Sequence, residues 1–431
     1  GDKEYASLPE QHRFVIPDGC HWQEVRERTE NLGAAIVGAM RQIEIANPDT
    51  LYGVLSMFSS QKWTNKAILN DSKIRDLIEH LSKRKLGNKD YPADLMGDAY
   101  EILLKKFADD SKAQAGEFYT PRSVVRLLVH ILDPQPGETV YDPACGSGGM
   151  LIEAIRYMHD DSLCCGSIFG QEKNVVNAAI AKMNLFLHGA SDFNVMQGDT
   201  LRDPKILQGG NIAKFDCVIA NPPFSLENWG ATEWSSDKYK RNIYGTPSDS
   251  CGDYAWIQHM ICSMVSGQGR MAVVMPQGIL FRNQETEIRK QLVESDLIEA
   301  VVTLGDKLFY GTGLSPCFLI IRRMKPAHHS GRILMIDGSK ILTQKRAQNI
   351  LEENDIDRLY SLYQNYSDEE DYSRIVTLQE IRDKEYNLSP NRYVVYHKEE
   401  IRPYAEVLAE FKQAYADVKR LENEFSLLIN A

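Results

Sequence analysis

The amino-acid sequence predicts an α/β fold of the Rossmann-like type, in which helices cover both faces of a mostly parallel β-sheet with an antiparallel edge strand. Two observations support this prediction. Strand-like and helix-like segments alternate between about residues 114 and 330, and such alternation is typical of parallel sheets with helical crossovers. Apolar residues recur at helical spacing on either side of this region, so a helical domain is expected before the sheet and a helix after it.

Three domains follow from these patterns. Residues 1–113 are expected to form a helical N-terminal domain, and residues 114–395 the α/β domain. Residues 396–431 are expected to form a coiled-coil-like helix that contacts a partner, because apolar side chains follow one another at steps of four and three. The same stripe would also suit a helix that folds back on the core of its own chain. The stripe consists of Tyr404, Leu408, Phe411, Tyr415, Val418, Phe425 and Ile429.

Strands are predicted where short apolar or β-branched runs follow turn residues. The runs are Thr139–Tyr141, Ser167–Gly170, Asn194–Met196, Phe215–Ala220, Met271–Met275, Ile298–Val302 and Cys317–Ile321. A helix is expected from about Val175 to Leu187. The last two strands have only a short connection between them, so we expect them to pair antiparallel at one edge of the sheet. Residues 225–252 form a long polar segment, which is typical of a lid or a binding element.

Composition limits the classes of function. The formal net charge is −11, which argues against a protein that grips DNA broadly by itself, because phosphate neutralisation dominates nucleic-acid affinity. A partner chain or a local basic groove would have to supply the contacts. The cysteines form no C-x-x-C pair, so no metal site is expected. Without a signal-like or membrane-length apolar run, a cytoplasmic protein with no membrane partner is expected.

A glycine-rich turn follows the first predicted strand and opens a helix. It runs Asp142-Pro143-Ala144-Cys145-Gly146-Ser147-Gly148-Gly149. Glycines let the backbone approach a ligand and expose amide groups at a helix N-terminus, although a tight structural turn would use the same residues. The spacing differs from G-x-G-x-x-G, which disfavours a dinucleotide. Asp142 suits a ligand that carries a positive ammonium or sulfonium group.

Two further acids stand at strand ends. Glu172 directly follows the second strand, where a carboxylate can accept hydrogen bonds from both ribose hydroxyls of a nucleoside. Asp199 follows the third strand and can accept one from the amino group of a cofactor adenine. Taken alone, each is also typical of a solvated loop. The spacing of Glu172 after the glycine-rich turn favours its role at the ribose.

The strand that ends at Ala220 is followed by Asn221-Pro222-Pro223-Phe224. Two prolines make a rigid, extended turn with few donors, which leaves the Asn221 side-chain oxygen and the Pro222 carbonyl as acceptors. A conjugated amino group is a poor nucleophile, and two acceptors aimed at its hydrogens would stabilise developing positive charge. Phe224 offers a face on which a base can stack. The alternative is a purely structural turn.

Two other segments add weaker signals. Thr120-Pro121 is typical of an N-cap followed by proline at the first helical position. The basic cluster Lys238-Tyr239-Lys240-Arg241 lies in the long polar segment. Lys240 and Arg241 are therefore the candidates for contact with a DNA phosphate, whereas most such clusters are solvated surface.

With these motifs in this order, the chain resembles the modification (M) subunit of type I restriction–modification enzymes over roughly residues 90–325. The four motifs together are specific, whereas any one alone is not. The resemblance is carried by Glu117-Phe118-Tyr119-Thr120-Pro121-Arg122, Asp142-Pro143-Ala144-Cys145-Gly146-Ser147-Gly148-Gly149, Asn221-Pro222-Pro223-Phe224 and Phe309-Tyr310-Gly311-Thr312-Gly313.

The resemblance implies an S-adenosylmethionine-dependent N6-adenine DNA methyltransferase, with residues 114–395 as its catalytic domain. Ser147, Gly148 and Gly149 would pass beneath the cofactor, Glu172 would hold its ribose, and Asp199 would meet its adenine. The methionine end of the cofactor would be walled by Glu117, Phe118, Tyr119, Thr120, Pro121 and Arg122.

The target base would be flipped out of the duplex to reach the Asn221–Phe224 motif, as chemistry on a base requires. Phe309 or Tyr310 would help to hold it.

The resemblance also implies a division of labour. A separate specificity (S) subunit would read the DNA sequence, two M subunits would join this one S subunit in a complex, and a restriction (R) subunit would bind outside. This fits the acidic charge and the lack of an evident target-recognition domain. The C-terminal helix is then expected to pack against the specificity subunit.

Several alternatives remain open at this point. The Asn221–Phe224 motif also suits a glutamine amide in a protein, although the motif around Thr120 and the helical flanks disfavour that substrate. The amino group at cytosine N4 is a closer rival, and motif order favours adenine. A methyltransferase of a phage-exclusion system is a further alternative. A catalytically silent assembly subunit is disfavoured because Asn221, Phe224, Asp142 and Glu172 are intact.

Overall fold

The computed structural model describes residues 14–55, 61–84, 93–110, 120–158, 166–190, 192–309, 315–345, 348–397 and 404–429. Two compact units are present, residues 1–394 and residues 395–431. None of the helices in the described ranges is both long enough and apolar enough to cross a membrane.

The N-terminal region is helical, as predicted. Its helices are α1 (Trp22–Arg26), α2 (Leu32–Ala46), α3 (Pro48–Leu51), α4 (Gln61–Thr64), α5 (Asp71–Ser82) and α6 (Ala93–Asp110). A small apolar cluster joins α2 to α5 through Leu32, Ile74 and Ile78. The separation of this region from the α/β part as an independent domain stays a prediction.

The remaining elements of the first unit alternate between helices and strands. The helices are α7 (Arg122–Leu132), α8 (Gly149–Met158), α9 (Val175–Leu187), α10 (Ala231–Ser235), α11 (Asp253–Ser263), α12 (Thr286–Glu294), α13 (Glu353–Asn365) and α14 (Leu378–Asp383). Short 3-10 helices span Gln277–Leu280, Asn283–Glu285, Ala327–His329 and Pro390–Arg392. The strands are β1 (Val140–Asp142), β2 (Ile168–Glu172), β3 (Phe193–Gln197), β4 (Leu207–Gln208), β5 (Asn211–Ile212), β6 (Cys217–Ala220), β7 (Arg270–Pro276), β8 (Ile298–Leu304), β9 (Pro316–Arg322), β10 (Arg332–Gly338) and β11 (Ser373–Thr377).

Within the described residues, nine strands form one sheet in the order β11-β10-β8-β9-β7-β6-β1-β2-β3. Strands β3, β2, β1, β6 and β7 are mutually parallel, and β8 is parallel to β10. Strand β9 is antiparallel to both β7 and β8, and β11 is antiparallel to β10. Buried clusters cover both faces of the sheet, so the predicted fold class is confirmed.

One detail of the predicted topology is wrong. Strands β8 and β9 do pair antiparallel, but they do not form an edge, because β9 lies between β7 and β8 while β10 and β11 extend the sheet beyond β8. Within β9, Pro316–Ile321 are buried without alternation, and a continuous apolar run is typical of a strand covered on both faces and paired on both sides. The antiparallel edge strand is β11 instead.

The long polar segment 225–252 is anchored to the body rather than built as an open loop. It contains the short helix α10, and the indole rings of Trp229 and Trp234 are buried in one of the two core clusters. Arg241 bonds this segment to the carbonyl groups of Thr200 and Leu201. These contacts argue against a freely moving lid.

The second unit contains one helix, α15 (Tyr404–Ile429), which confirms the predicted C-terminal helix. Aromatic side chains along it are largely exposed, including Tyr404, Phe411, Tyr415 and Phe425. Their spacing follows the predicted apolar stripe.

Candidate active site

A pocket of about 750 Å³, part of it open to solvent, lies at the carboxyl ends of β1 and β6. Parallel strands place their carboxyl ends on one edge of a sheet, and ligands bind there in open α/β folds. The pocket brings together seven of the predicted site residues. These are Thr120, Arg122, Asp142, Gly146, Ser147, Gly149 and Asn221.

The glycine-rich turn forms one wall of the pocket. Gly146 and Gly148 have φ angles of 53° and 84°, in the left-handed region that disfavours other residues. A Cβ atom at Gly148 would also lie 3.4 Å from the Cβ of Ala181 on α9. The turn can therefore bring helix α8 and its first amide groups close to the pocket.

Asp142 ends strand β1 inside this wall and is almost fully buried. Its Oδ1 accepts a hydrogen bond of 2.9 Å from the Ala144 amide. Burial raises the pKa of Asp142 to about 8, and the nearby charge of Glu172 acts in the same direction. A cationic ligand beside this carboxyl group would favour its ionised form.

The two other predicted acids lie beside the pocket and already have partners. Glu172 accepts hydrogen bonds from the amides of Gly146 (2.9 Å) and Asn174 (2.7 Å), so it fixes the glycine-rich turn. Asp199 forms an ion pair of 2.9 Å with Lys173. Neither is part of the pocket lining, so their assigned roles at the ribose and adenine stay predictions.

Asn221 follows β6 and has an asymmetric environment. Its Nδ2 donates a hydrogen bond of 2.8 Å to the hydroxyl of Thr120. Its Oδ1 is buried and has no hydrogen-bond partner among the described residues. The amide is therefore oriented with its acceptor free, as a residue that holds an amino group requires.

Asn184 of α9 shows the same arrangement on the pocket wall. Its Nδ2 donates to the Ser147 carbonyl at 3.1 Å, and its Oδ1 is buried without a partner in the described part of the chain. An unsatisfied buried acceptor is costly unless a ligand or water donates to it. The sequence analysis did not identify this residue.

Charged side chains from three helices complete the pocket. Arg122 pairs with Asp98 at 2.8 Å and with Glu101, both on α6, and Arg156 of α8 pairs with Asp98 at 2.7 Å. Burial acts to raise the pKa of Glu101, but its hydrogen bond with His188 and the charge of Arg122 outweigh this and leave it lowered.

Three of the charged lining residues, Glu101, Glu153 and Arg156, were not predicted. Glu153 and Arg156 stand four and seven residues after Gly149 on one helix face, a pattern that could have identified them. Nothing local to Glu101 distinguishes it.

The aromatic residues predicted to hold a base lie close to each other. The rings of Phe224 and Phe309 have centroids 6.4 Å apart at an interplanar angle of 55°. Phe224 is half-buried and Phe309 is buried. Four other predicted residues lie outside the described ranges, namely Glu117, Phe118, Tyr119 and Tyr310.

One predicted DNA contact is wrong. Arg241 is 1% exposed and commits its guanidinium group to the Asp237 carboxylate, two carbonyl groups and His259. These bonds use all five N–H donors of the guanidinium group, so none remains for a phosphate. Lys240, the other predicted contact, is exposed.

A buried cluster of metal-ligand-type side chains lies next to the Asn221–Phe224 turn. Ligand atoms of Cys251, Asp253 and Glu285 lie within 4.8 Å of one another. Arg282 forms ion pairs with Asp253 (2.5 Å) and Glu285 (2.9 Å). Because this guanidinium group already bridges both carboxylates, the arrangement is that of a structural ion network.

Comparisons with known proteins identify the family of this chain. The profile of the N-6 DNA Methylase family matches residues 91–401. The type I restriction enzyme MjaVII methylase subunit from Methanocaldococcus jannaschii is 35% identical over 422 residues, covering 94% of this chain and 70% of the relative. The HindI methylase subunit from Haemophilus influenzae is 31% identical over 396 residues, covering 88% of this chain and 84% of the relative.

Among solved structures, the methyltransferase subunit of a type I restriction-modification system from Streptococcus thermophilus is similar at a TM-score of 0.79 and 26% identity, covering 91% of this chain and 86% of that one. The family resemblance drawn from the motifs is thereby confirmed. The chain belongs to the N-6 DNA Methylase family, and within it to the methylase subunits of type I restriction enzymes.

Proposed function

We propose that this chain transfers the methyl group of S-adenosylmethionine to N6 of adenine in duplex DNA, as the modification subunit of a type I restriction–modification enzyme. The observation that carries the proposal is the buried Asn221 Oδ1, which has no partner among the described residues. Leaving such an acceptor unsatisfied costs about 1–3 kcal/mol. The exocyclic amino group of adenine is a donor that would satisfy it.

The pocket residues fit S-adenosylmethionine by their chemistry. The cofactor bears an ammonium, a sulfonium and a carboxylate, and the lining offers carboxyl groups at Asp142 and Glu153 and guanidinium groups at Arg122 and Arg156. Bound there, the cofactor supplies the methyl group.

Two acids beside the pocket complete the proposed cofactor site. Each oxygen of Glu172 accepts one backbone hydrogen bond, and a carboxylate oxygen can accept a second. Glu172 therefore keeps acceptor capacity for the ribose hydroxyls. Asp199 would accept from the cofactor adenine.

The reacting amino group is held by the turn after β6. Asn221 Oδ1 and the Pro222 carbonyl would each accept one of its hydrogens, which favours the pyramidal form and stabilises positive charge as the new N–C bond forms. Phe224 would stack on the flipped base, with Phe309 packed beside it. Pro223 keeps this turn extended.

The partners follow from the family and from charge. Relatives of this chain are named methylase subunits of type I restriction enzymes, and a net charge of −11 leaves most phosphate contacts to another chain. A specificity subunit would select the DNA site, two copies of this chain would join it, and a restriction subunit would bind outside. Exposed aromatic side chains on α15, such as Phe411 and Tyr415, suit helix packing against the specificity subunit.

Methyl transfer tests this function directly. Tritiated S-adenosylmethionine and duplex DNA are incubated with the chain, with and without its specificity subunit. Label is expected in DNA only with both subunits, and digestion to nucleosides should place it in N6-methyladenine. Label in N4-methylcytosine would support the cytosine alternative, and no label in any combination would exclude the enzyme.

A variant pair ties the activity to the site. Asn221→Ala should abolish transfer while the affinity for S-adenosylmethionine is retained. Asn211→Ala, at the exposed first residue of β5, is the matched control and should leave transfer unchanged. Full activity of Asn221→Ala would remove the main support for the proposal.

A further inference from the structure

A second cavity lies between the segment that follows β7 and the segment that follows α14. Its empty volume is about 950 Å³, and part of this volume is open to solvent. Cations at Arg289, Lys384 and Arg392, the acid Glu385 and the ring of Phe281 line it, and its other lining side chains are amides and hydroxyls. Because β7 runs parallel to β6, the segment after β7 begins at the same sheet edge as Asn221.

Arg289 is a buried cation without a carboxylate partner in the described part of the chain. Its guanidinium group donates instead to the carbonyls of Tyr386 (2.8 Å) and Arg282 (2.9 Å), to that of Ile279, and to the hydroxyl of Thr286. The two other buried arginines among the described residues differ, because Arg241 pairs with Asp237 and Arg270 with Glu138. An uncompensated charge at low exposure makes the potential of the cavity positive.

Lys384 and Arg392 add two exposed charges at the rim. The Lys384 ammonium donates to the Arg392 carbonyl and lies 4.2 Å from the ring centroid of Tyr393, so its position is fixed. Neither side chain forms an ion pair with a carboxylate that the structure describes. The cavity is therefore net positive in a chain whose formal net charge is −11.

Hydrogen bonds connect this cavity to the reaction motif. Asp253 accepts from the Ser225 amide at 2.7 Å, one residue after Phe224, and from Arg282 Nη2 at 2.5 Å. The Arg282 carbonyl in turn accepts from Arg289 at 2.9 Å. The side chains of Asp253 and Arg282 thus connect the turn that would hold the base to Arg289 in the wall of the cavity.

We propose that this cavity binds backbone phosphates of the DNA next to the flipped adenine. The inference rests on the proposed function. It identifies where this chain would contact the phosphates of the DNA substrate. Cations without carboxylate partners suit phosphates, which position a protein on DNA without reading sequence. The half-exposed ring of Phe281 favours nucleic acid over an acidic protein surface, because aromatic faces beside cations can stack on bases.

Binding of DNA by the complex with the specificity subunit tests the proposal. A fluorescent duplex that contains the recognised site is titrated at several salt concentrations with wild type and with Lys384→Gln/Arg392→Gln. The double variant should bind at least roughly tenfold more weakly at low salt, and the salt slope should fall by about 0.9 for each phosphate that is no longer neutralised. The affinity for S-adenosylmethionine should not change.

Two controls isolate the site from charge in general. Lys83→Gln/Arg84→Gln removes the same two charges from exposed positions after α5 and should leave the affinity and the slope unchanged. Lys384→Arg/Arg392→Lys keeps both positive charges and should retain most of the wild-type affinity for DNA.

Three outcomes separate the hypotheses. An unchanged salt slope in Lys384→Gln/Arg392→Gln would overturn the phosphate site even if the complex methylates DNA. Weaker assembly with the specificity subunit, with DNA affinity per assembled complex intact, would reassign the cavity to an acidic protein surface. Because binding is measured without turnover, a complex that binds with the expected slopes but transfers no methyl group would overturn the proposed function alone.

Discussion

The hydroxyl of Thr120 accepts a hydrogen bond of 2.8 Å from Asn221 Nδ2, across 101 residues of sequence. This bond fixes which end of the amide points away from Thr120. With Nδ2 committed, the buried Oδ1 is the atom left to accept from an amino group. Thr120 therefore positions the residue proposed to hold the target base, in addition to lining the proposed cofactor pocket.

Thr120→Val should lower kcat by roughly tenfold to a hundredfold, because a buried amide N–H without its acceptor costs about 1–3 kcal/mol and favours amide orientations that present Nδ2 to the base. The affinity for S-adenosylmethionine should change little. Single-turnover methylation and equilibrium cofactor binding measure the two effects separately.

Thr120→Ser is the control, since it keeps the hydroxyl acceptor and should retain most of kcat. If Thr120→Val instead weakened cofactor binding at unchanged kcat, Thr120 would act only as a wall of the pocket.

Asn184→Leu should weaken binding of S-adenosylmethionine by about tenfold, because it removes a buried acceptor that a ligand donor can satisfy and the bond to the Ser147 carbonyl. Isothermal calorimetry measures this directly. Asn177→Leu, on the same helix but outside the pocket lining, should bind the cofactor as wild type does. Equal affinities in both variants would show that the free oxygen of Asn184 has no ligand role.

Cofactor affinity should increase as pH rises from about 6 to about 8. The pKa of Asp142 is about 8 in the free protein, so a cationic ligand that prefers the carboxylate must displace a proton below that pH. Calorimetry in buffers of different ionisation enthalpy should detect proton release at pH 7. Asp142→Asn should bind more weakly and lose both effects, and a pH-independent wild type would contradict this assignment.

The same carboxyl group should affect stability. The folded state holds its proton more tightly than the unfolded chain, where the pKa has its ordinary value of 3.8. The free energy of unfolding therefore falls as pH rises from about 4 to about 8 and levels off above that. Asp142→Asn should raise the melting temperature relative to wild type more at pH 8 than at pH 5, and an equal difference at both would contradict the raised pKa.

Gly97→Ala should destabilise the protein by about 1–3 kcal/mol, because a Cβ atom there would lie 2.2 Å from the imidazole ring of His188. This close approach holds α6, which carries Asp98 and Glu101, against α9. Gly38→Ala on α2 is the matched control, since nothing lies within 4 Å of its Cβ position, and it should stabilise by up to roughly 1 kcal/mol. Urea unfolding distinguishes them, and equal changes would show that Gly97 does not control the packing of α6.

Local sequence patterns predicted most of the fold well. Helix α9 begins and ends at the predicted residues. The apolar spacing and the preceding turn that predict it are local features, which lie within a few residues of one another. The glycine-rich turn was found for the same reason, since the left-handed φ angles at Gly146 and Gly148 favour glycine at those positions.

Errors arose where distant segments decide the outcome. The position of β9 inside the sheet depends on strands that come later in the chain, and the burial of Arg241 depends on carbonyl groups about forty residues earlier. A basic cluster has the same composition whether it faces solvent or an internal carbonyl. Composition therefore could not separate the exposed Lys240 from the buried Arg241.

By itself the sequence determined the α/β class and the family and identified Asn221–Phe224 as the candidate reaction motif, because each depends on the order and spacing of nearby residues. Only the tertiary structure decided that Thr120 orients Asn221, that Glu101 from the N-terminal region reaches the proposed cofactor pocket, and that Arg289 lines a second cavity. These features come from side chains far apart in sequence. Their energies arise from burial and hydrogen bonding that exist only once the chain has packed.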